Sequence, residues 1–421
     1  MSASLRQLAR KLFDFAPGEA LSRLCSIATL LILAHKFGVV FVGVYALAQG
    51  MVQYSYPFID FGLRHVGARL IARYPEAGRE IVRQVQHRRY LMAVLLLPLI
   101  ALYSASAKVP LPLKFFLFAF AATGALYAVS LDWAAWGKEH LRLASFGRTM
   151  VPVTVLIALL LGRNSDHVLW WLVAGNAIGA VLQATIFRAW WQRHQPAQEL
   201  DIRLDVIRES LAWRRTSVMG VAWFCNLAFV SIDMLMLGLM SNPRQVGFYS
   251  ASYRILSQIL FAYYLMITVI YPQLARQNKV QRLRMLRPRI LLAVLGTGGV
   301  IAGLLTLARR PLVTVLFGQE FWPATSLLML IAWAIPLDFL TSYLINAYIA
   351  WGMEKKILIC TVIGAGSNIL LNLFSIPAYG ATAAAVNTLI SYAILLVSLA
   401  IAGHSANELT IEPEQVPELI A

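Results

Sequence analysis

Six ionisable residues interrupt long apolar runs of this 421-residue chain: Arg23, Asp60, Asp132, Asp233, Arg254 and Asp338. A charge at the centre of a bilayer costs about 2.5–3.5 kcal/mol on insertion scales, so each should face a cavity or a partner. The planar guanidinium of an arginine grips oxyanions through paired N–H donors. Arg23 and Arg254 are therefore candidates for binding an anionic group, although Arg254 could equally neutralise Asp233 on the adjoining helix. Asp233 and Asp338 are candidates for coupling to an H⁺ or Na⁺ gradient. Asn226, Asn368 and Asn372 are candidate polar groups of a cavity, with Asn368 and Asn372, one turn apart, also suited to bridging helices. Asp60 and Arg64, four apart, read first as a local ion pair, and Asp132 reads as either interfacial or internal. His35 and Lys36 are placed to snorkel to a membrane surface. The chain has no Gly-x-x-x-x-Gly-Lys-Ser/Thr loop, no Cys/His cluster at metal-ligand spacing and no Gly-x-Ser-x-Gly elbow. No catalytic residue, metal or cofactor is expected, and the energy for any transport must come from outside the chain.

The elements that hold these residues are spanning helices. The composition is 59% hydrophobic and 13% charged, with a mean hydropathy of +0.67, more apolar surface than one soluble core needs. Stretches near the 20 residues that cross a bilayer are predicted at 17–36, 38–61, 90–107, 113–136, 148–162, 168–190, 216–240, 247–271, 290–308, 324–350, 357–376 and 382–402. About three-quarters of the 36 Lys and Arg residues fall in segments on the same side as the N-terminus, which predicts both termini in the cytoplasm. The net charge of +16 is thereby explained as topology, and nucleic acid is not an expected partner. Arg64 to Arg89, Arg188 to Arg215 and Gln273 to Arg289 mix Arg with aliphatic residues as surface helices on anionic lipid do. Cys25, Cys225 and Cys360 sit in apolar segments and read as packing residues. The polar start, Met1 to Lys11, gives no sign of a cleaved signal.

The two halves repeat. Val42-Gly43-Val44-Tyr45 opens the second span and Val246-Gly247-Phe248-Tyr249 the eighth, while Ala135-Trp136-Gly137 closes the fourth and Ala350-Trp351-Gly352 the tenth. Six spans being even, both halves enter the membrane in one direction, giving a parallel repeat about an axis along the membrane normal, with substrate held between the halves. The expected lobes are residues 1–195 and 216–421, joined by a linker at 196–215, and spans 1, 2, 7 and 8 should line a central cavity. In the alignment that pairs Val42 with Val246, Arg254 falls on Gly50, a charge without a counterpart. Gly175/Gly179 and Gly299/Gly303 are spaced for close helix contact, and Trp170, Trp171, Trp190 and Trp191 for an interfacial belt.

The stretch from Val42-Gly43-Val44-Tyr45 through Phe58-Ile59-Asp60-Phe61-Gly62-Leu63 resembles the second span of the Wzx-type polysaccharide-unit (O-antigen) flippases. Ser231-Ile232-Asp233 with Leu237-Gly238, Val246-Gly247-Phe248-Tyr249, Leu316-Phe317-Gly318-Gln319-Glu320-Phe321 and Ile376-Pro377-Ala378-Tyr379-Gly380-Ala381 are similar to later parts of the same family. The resemblance covers nearly the whole chain. It implies the multidrug/oligosaccharidyl-lipid/polysaccharide exporter superfamily: an all-α polytopic membrane protein of about twelve helices, in two six-helix lobes around a central cavity. It also implies a non-enzymatic flippase of the bacterial inner membrane that moves undecaprenyl-pyrophosphate-linked oligosaccharides outward for lipopolysaccharide and related polysaccharide biosynthesis. The pyrophosphate then falls to Arg23 and Arg254. Membrane lipids, a polysaccharide polymerase and chain-length machinery are the implied partners. A multidrug (MATE) antiporter or a lipid II flippase would share the repeat, but a cavity for organic cations should be acidic. A membrane glycosyltransferase would need a larger outer segment than Arg309 to Pro323.

Overall fold

The computed structural model describes the backbone of residues 3–195, 207, 209–275 and 286–408, and every regular element among them is helical. The helices are α1 (Ala3–Asp60), α2 (Leu63–Arg73), α3 (Gly78–Ser106), α4 (Leu111–Ala122), α5 (Asp132–Gly137), α6 (Leu141–Gly162), α7 (Val168–His194), α8 (Trp213–Met240), α9 (Pro243–Ala275), α10 (Pro288–Phe317), α11 (Ala324–Ala332), α12 (Ala334–Ala350) and α13 (Glu354–Glu408). Nine described stretches are long and apolar enough to cross a membrane. Two of these are double, because α1 breaks at Gly38 (φ 77°, ψ −173°) and α13 at Gly380 (φ 56°, ψ −134°), conformations that a side chain would strain. With those doublings and the 33-residue α9, the described residues hold the twelve expected spans. The protein is an all-α, polytopic integral membrane protein. Most of the expected linker, 196–215, and part of the basic segment 273–289 lie outside the described residues.

Helices α1 to α7 pack as one bundle and α8 to α13 as another, with α1 crossing to α8 and α9. Gly38 and α2 mark opposite ends of the molecule, here called the Gly38 face and the α2 face. Within the first bundle Gly175 and Gly179 bring α7 onto the backbone of α6 at Thr154 and Val151, as their spacing predicts. Gly299 and Gly303 do not follow that expectation. No atom lies within 4 Å of the space a methyl would take at either, and it is the neighbouring Gly298 that admits Pro336.

The expected single spans at 113–136 and 324–350 are each interrupted. Beyond Ala122 the chain tightens into a 3₁₀ turn over Thr123–Val129, and Ser130 and Leu131 leave helical geometry before α5. The later break falls at Trp333, where Pro336 has no N–H for the carbonyl of Ala332. Unwound backbone inside a membrane protein needs internal partners, and the first break receives them from α3. Gln86 Nε2 donates to the carbonyls of Ala128 (3.0 Å) and Val129 (3.3 Å). Arg89, fully buried, donates to the carbonyls of Ser130 (2.5 Å) and Tyr127 (3.0 Å) and to Gln86 Oε1 (3.0 Å).

The remaining donor of Arg89, Nε, lies 3.0 Å from Asp60 Oδ1, while the Tyr127 hydroxyl donates to Asp60 Oδ2 at 2.9 Å. Asp60 thus pairs with Arg89, not with Arg64 as its spacing suggested. Phe61 (φ 32°) and Gly62 (φ 85°) turn the chain out of the helix between them, and the four-residue register is lost. Arg64 goes to Asp132 (3.3 Å), which Arg148 also meets (3.1 Å), so Asp132 is internal and entirely buried.

Removing one member of a buried pair costs about 3–5 kcal/mol, since the other charge is left alone. Arg89→Ala should therefore lower the melting temperature of the detergent-solubilised protein far more than Arg69→Ala, at an exposed position of α2. The double change Asp60→Leu with Arg89→Met should recover part of the loss. An Arg89→Ala protein that melts with wild type would show that this network does not hold the bundle.

Candidate functional site

The two bundles meet along α1, α8 and α9, the helices that contain the four spans expected to line a central cavity. Where residues 39–60 of α1 cross α9, the two copies of the repeated motif touch reciprocally. A methyl on Gly43 would run into the carbonyl oxygen of Pro243, and a methyl on Gly247 into that of Val39. Around this crossing the Gly38 face is closed. Val39 N–H donates to Glu320 Oε2 (3.3 Å), capping the helix after Gly38 from the other bundle. The Tyr103 hydroxyl donates to the carbonyl of Leu235 (2.8 Å), and Lys108 donates to those of Gly238 (3.1 Å) and Met240 (2.9 Å). At the α2 face Phe61 packs on Gly220, and the rings of His65 and Trp223 lie 5.4 Å apart. Burial and then the neighbouring Arg64 hold the His65 imidazole below its usual range.

Between these faces stand the two predicted arginines. Arg254, on α9, is half-buried and donates to Gln49 Oε1 (3.3 Å), whose amide donates in turn to the Tyr45 hydroxyl (2.7 Å). Arg23 pairs with Glu19 one turn earlier (3.1 Å) and lies flat on Phe261 of α9, 3.4 Å from the ring centroid. Arg23 is near enough to Arg254 for the two charges to repel. Among the described residues no carboxylate pairs with Arg254. The alternative in which it neutralises Asp233 does not hold, because Asp233 is engaged elsewhere.

Asp233 lies inside the second bundle, 1% exposed and ringed by neutral donors. Tyr249 (2.7 Å), Thr388 (3.0 Å) and Asn372 (2.5 Å) donate to it, and Asn372 donates also to Asn368 Oδ1 (2.9 Å). Asn387 reaches Asn372 Oδ1 (2.8 Å) and Ser375 (2.6 Å). One carboxylate with several amide and hydroxyl oxygens is the donor set of a hard monovalent cation or of a proton acceptor. The Asn368 amide also lies within reach of Asp233, and among the described residues the buried Ser391 hydroxyl has no hydrogen-bond partner. Tyr249, Asn387 and Thr388 were not singled out from the sequence, although Asn368, Asn372 and Ser375 on one side of Gly380 and Asn387 and Ser391 on the other recur at helical spacing.

Asp338 belongs to a separate place, accepting from the Tyr392 hydroxyl at 2.8 Å. Tyr253 and Tyr392 lie within electrostatic reach of both Asp233 and Asp338. Asn226 is exposed on α8, two turns before Asp233, and contributes no hydrogen bond to the cluster. His35 and Lys36 are exposed, Lys36 reaching Asn164. Trp170 and Trp171 are exposed as belt residues would be, whereas Trp191 is buried and Trp190 stacks on His194.

The profile of a family described as Polysaccharide biosynthesis protein matches residues 9–277. A sequence search among curated proteins finds no match. Among solved structures, the chain is similar to the lipid II flippase MurJ in an inward closed conformation, with 14% identity, a TM-score of 0.70 and coverage of 93% of this chain and 87% of that one. It is similar to an inward-facing multidrug resistance MATE family transporter of the MOP superfamily at 13% identity and a TM-score of 0.69, covering 92% and 96%. A MOP superfamily transporter from Pyrococcus furiosus, described as having a binding pocket of reverse polarity, matches at 14% identity and a TM-score of 0.56 over 96% of each chain. These likenesses establish the fold.

Because the Gly43–Gly247 crossing has no room for a methyl, Gly43→Ala should disfavour closure of the Gly38 face. With Cys25, Cys225 and Cys360 replaced and a single cysteine introduced at Val39, a hydrophilic maleimide should label the Gly43→Ala protein several-fold faster than the parent. Equal labelling rates would mean that this crossing is not where the face opens.

Proposed function

The chain belongs to the polysaccharide biosynthesis protein family, and from that premise we propose that it is a flippase for undecaprenyl-pyrophosphate-linked oligosaccharides in a bacterial inner membrane. The α2 face is assigned to the cytoplasm, since the basic segments collect there. Substrate assembled on that side enters between lobes 1–195 and 216–421, joined by 196–215. It leaves when the Gly38 face opens and passes to a polysaccharide polymerase and its chain-length machinery. The process is alternating access, with no bond made or broken.

The observation that carries this reading is Arg254. A guanidinium held between the bundles, with no acid paired to it among the described residues and repelled by a second guanidinium, lowers its energy when a dianionic group enters between them. The same pair disfavours the organic cations of a multidrug antiporter. A sugar-linked pyrophosphate meets Arg254, takes the place of Glu19 on Arg23, and leaves the oligosaccharide among the amides and aromatic rings of the interface, with Gln49, Tyr45 and Phe261 nearest.

Charge-assisted hydrogen bonds contribute about 1.5–3 kcal/mol each, so Arg254→Ala and Arg23→Ala should each lower transport by about tenfold or more. The Lys variants, which keep the charge and lose the planar fork, should fall between. The measurement is accumulation of the undecaprenyl-linked oligosaccharide on the inner leaflet, at matched amounts of protein in the membrane. Wild-type transport in both the Lys and the Ala variants would end the assignment.

Asp233, with Asn368, Asn372 and Thr388 around it, is the proposed coupling site for Na⁺ or H⁺, and Asp338 a second candidate linked to it through Tyr253 and Tyr392. Asp233→Asn should make transport insensitive to the Na⁺ and pH gradients while the protein still inserts. Unchanged gradient dependence in Asp233→Asn and Asp338→Asn vesicles would remove both residues from this role.

A further inference from the structure

Away from the bundle interface, a cavity of about 420 Å³ opens between α3 and α7 at the α2 face. Arg83 and His87, one turn apart on α3, face Arg188 and Gln192, one turn apart on α7. Its floor is apolar, made by Leu131 and Trp191, which are 3% and 6% exposed. Among the described residues no carboxylate lines it. Arg83 also meets Glu80 (2.7 Å) one turn before it on the same helix. The depth of the cavity is fixed by the sequence around it. Tyr90, in its wall, stands where the basic start of α3 gives way to the apolar part, and Arg188 stands where the apolar part of α7 ends. That is the level of lipid phosphates, where Tyr and Trp rings also settle.

We propose that this cavity binds the phosphate of an anionic phospholipid from the leaflet on the α2 face, with the glycerol backbone over Leu131 and Trp191. A volume of this order is that of a small-ligand site. Two guanidiniums and a histidine on opposite walls supply donors for a phosphodiester, and beyond Tyr90 the exposed apolar residues Leu91, Val94 and Leu95 of α3 offer a surface for acyl chains. The site is separate from the interface arginines and would hold lipid whether or not substrate is being moved.

The test is native mass spectrometry of the purified full-length protein, titrated with phosphatidylglycerol or phosphatidylcholine, with inorganic phosphate as competitor. Each cation near the membrane surface contributes enough that two should produce a preference for phosphatidylglycerol of about tenfold to thirtyfold. Arg83→Ala with Arg188→Ala should abolish that preference, whereas Arg69→Ala with Arg73→Ala, at exposed positions of α2, should keep it. If the Ala pair does not elute as folded protein, Arg83→Gln with Arg188→Gln replaces it in the comparison. Retention of the preference by the pocket variant, or its absence in wild type, overturns the proposal. Displacement by millimolar inorganic phosphate also overturns it, because the site would then be one for a free anion.

Discussion

Inside hydrocarbon no water answers a charge or a broken backbone hydrogen bond, so each must be met by another part of the chain. Arg89 shows how far this constraint shapes the first bundle. The helix after Ala122 is unwound, and each carbonyl that would be orphaned is taken by a side chain of α3. The guanidinium that takes them would itself be an unpaired buried charge, and Asp60 meets it. Asp60 can do so because Gly62 ends its helix there and turns Arg64 away toward Asp132. Unwinding, burial and ion pairing in this bundle are one arrangement, and none of the three is stable without the others.

The second bundle meets the same constraint without cations. Asp233 is surrounded by hydroxyls and amides, so its negative charge is solvated but not cancelled. In the first bundle Asp60 and Asp132 thus face guanidiniums, whereas in the second Asp233 faces only neutral groups among the described residues. Between them the interface holds the opposite exception, a guanidinium whose hydrogen-bond partner among the described residues is the neutral Gln49.

Much of this was legible in the sequence. Span number and the parallel repeat follow from hydropathy and from two short motifs, and Arg23, Asp233 and Arg254 stand out as charges in apolar runs. The partners were less accessible. The Asp60–Arg64 spacing pointed to a pair that Phe61 and Gly62 prevent, and positive φ at a phenylalanine has no sequence signature. Arg89 looked like one more basic residue of a surface helix, since nothing local says that carbonyls forty residues later will need it. Gly299 and Gly303 carried the small-residue spacing of a helix contact, yet the contact is made one residue away by Gly298, because spacing fixes a face but not the register of what packs on it.

The Gly43–Gly247 crossing also bears on how the chain came to have two halves. Each glycine receives the carbonyl of the residue four before its counterpart, Pro243 for one and Val39 for the other. A contact exchanged in this way about an axis is isologous, the form taken by two identical subunits in a closed dimer. A separate six-helix polypeptide could make it with its own twin. Joined in one chain, the copies need no longer match anywhere except at such shared contacts, and Arg254 against Gly50 is a substitution that a symmetric pair would have had to accept twice. Fusion thus permits a single unbalanced charge beside the axis, where duplicated subunits would carry two.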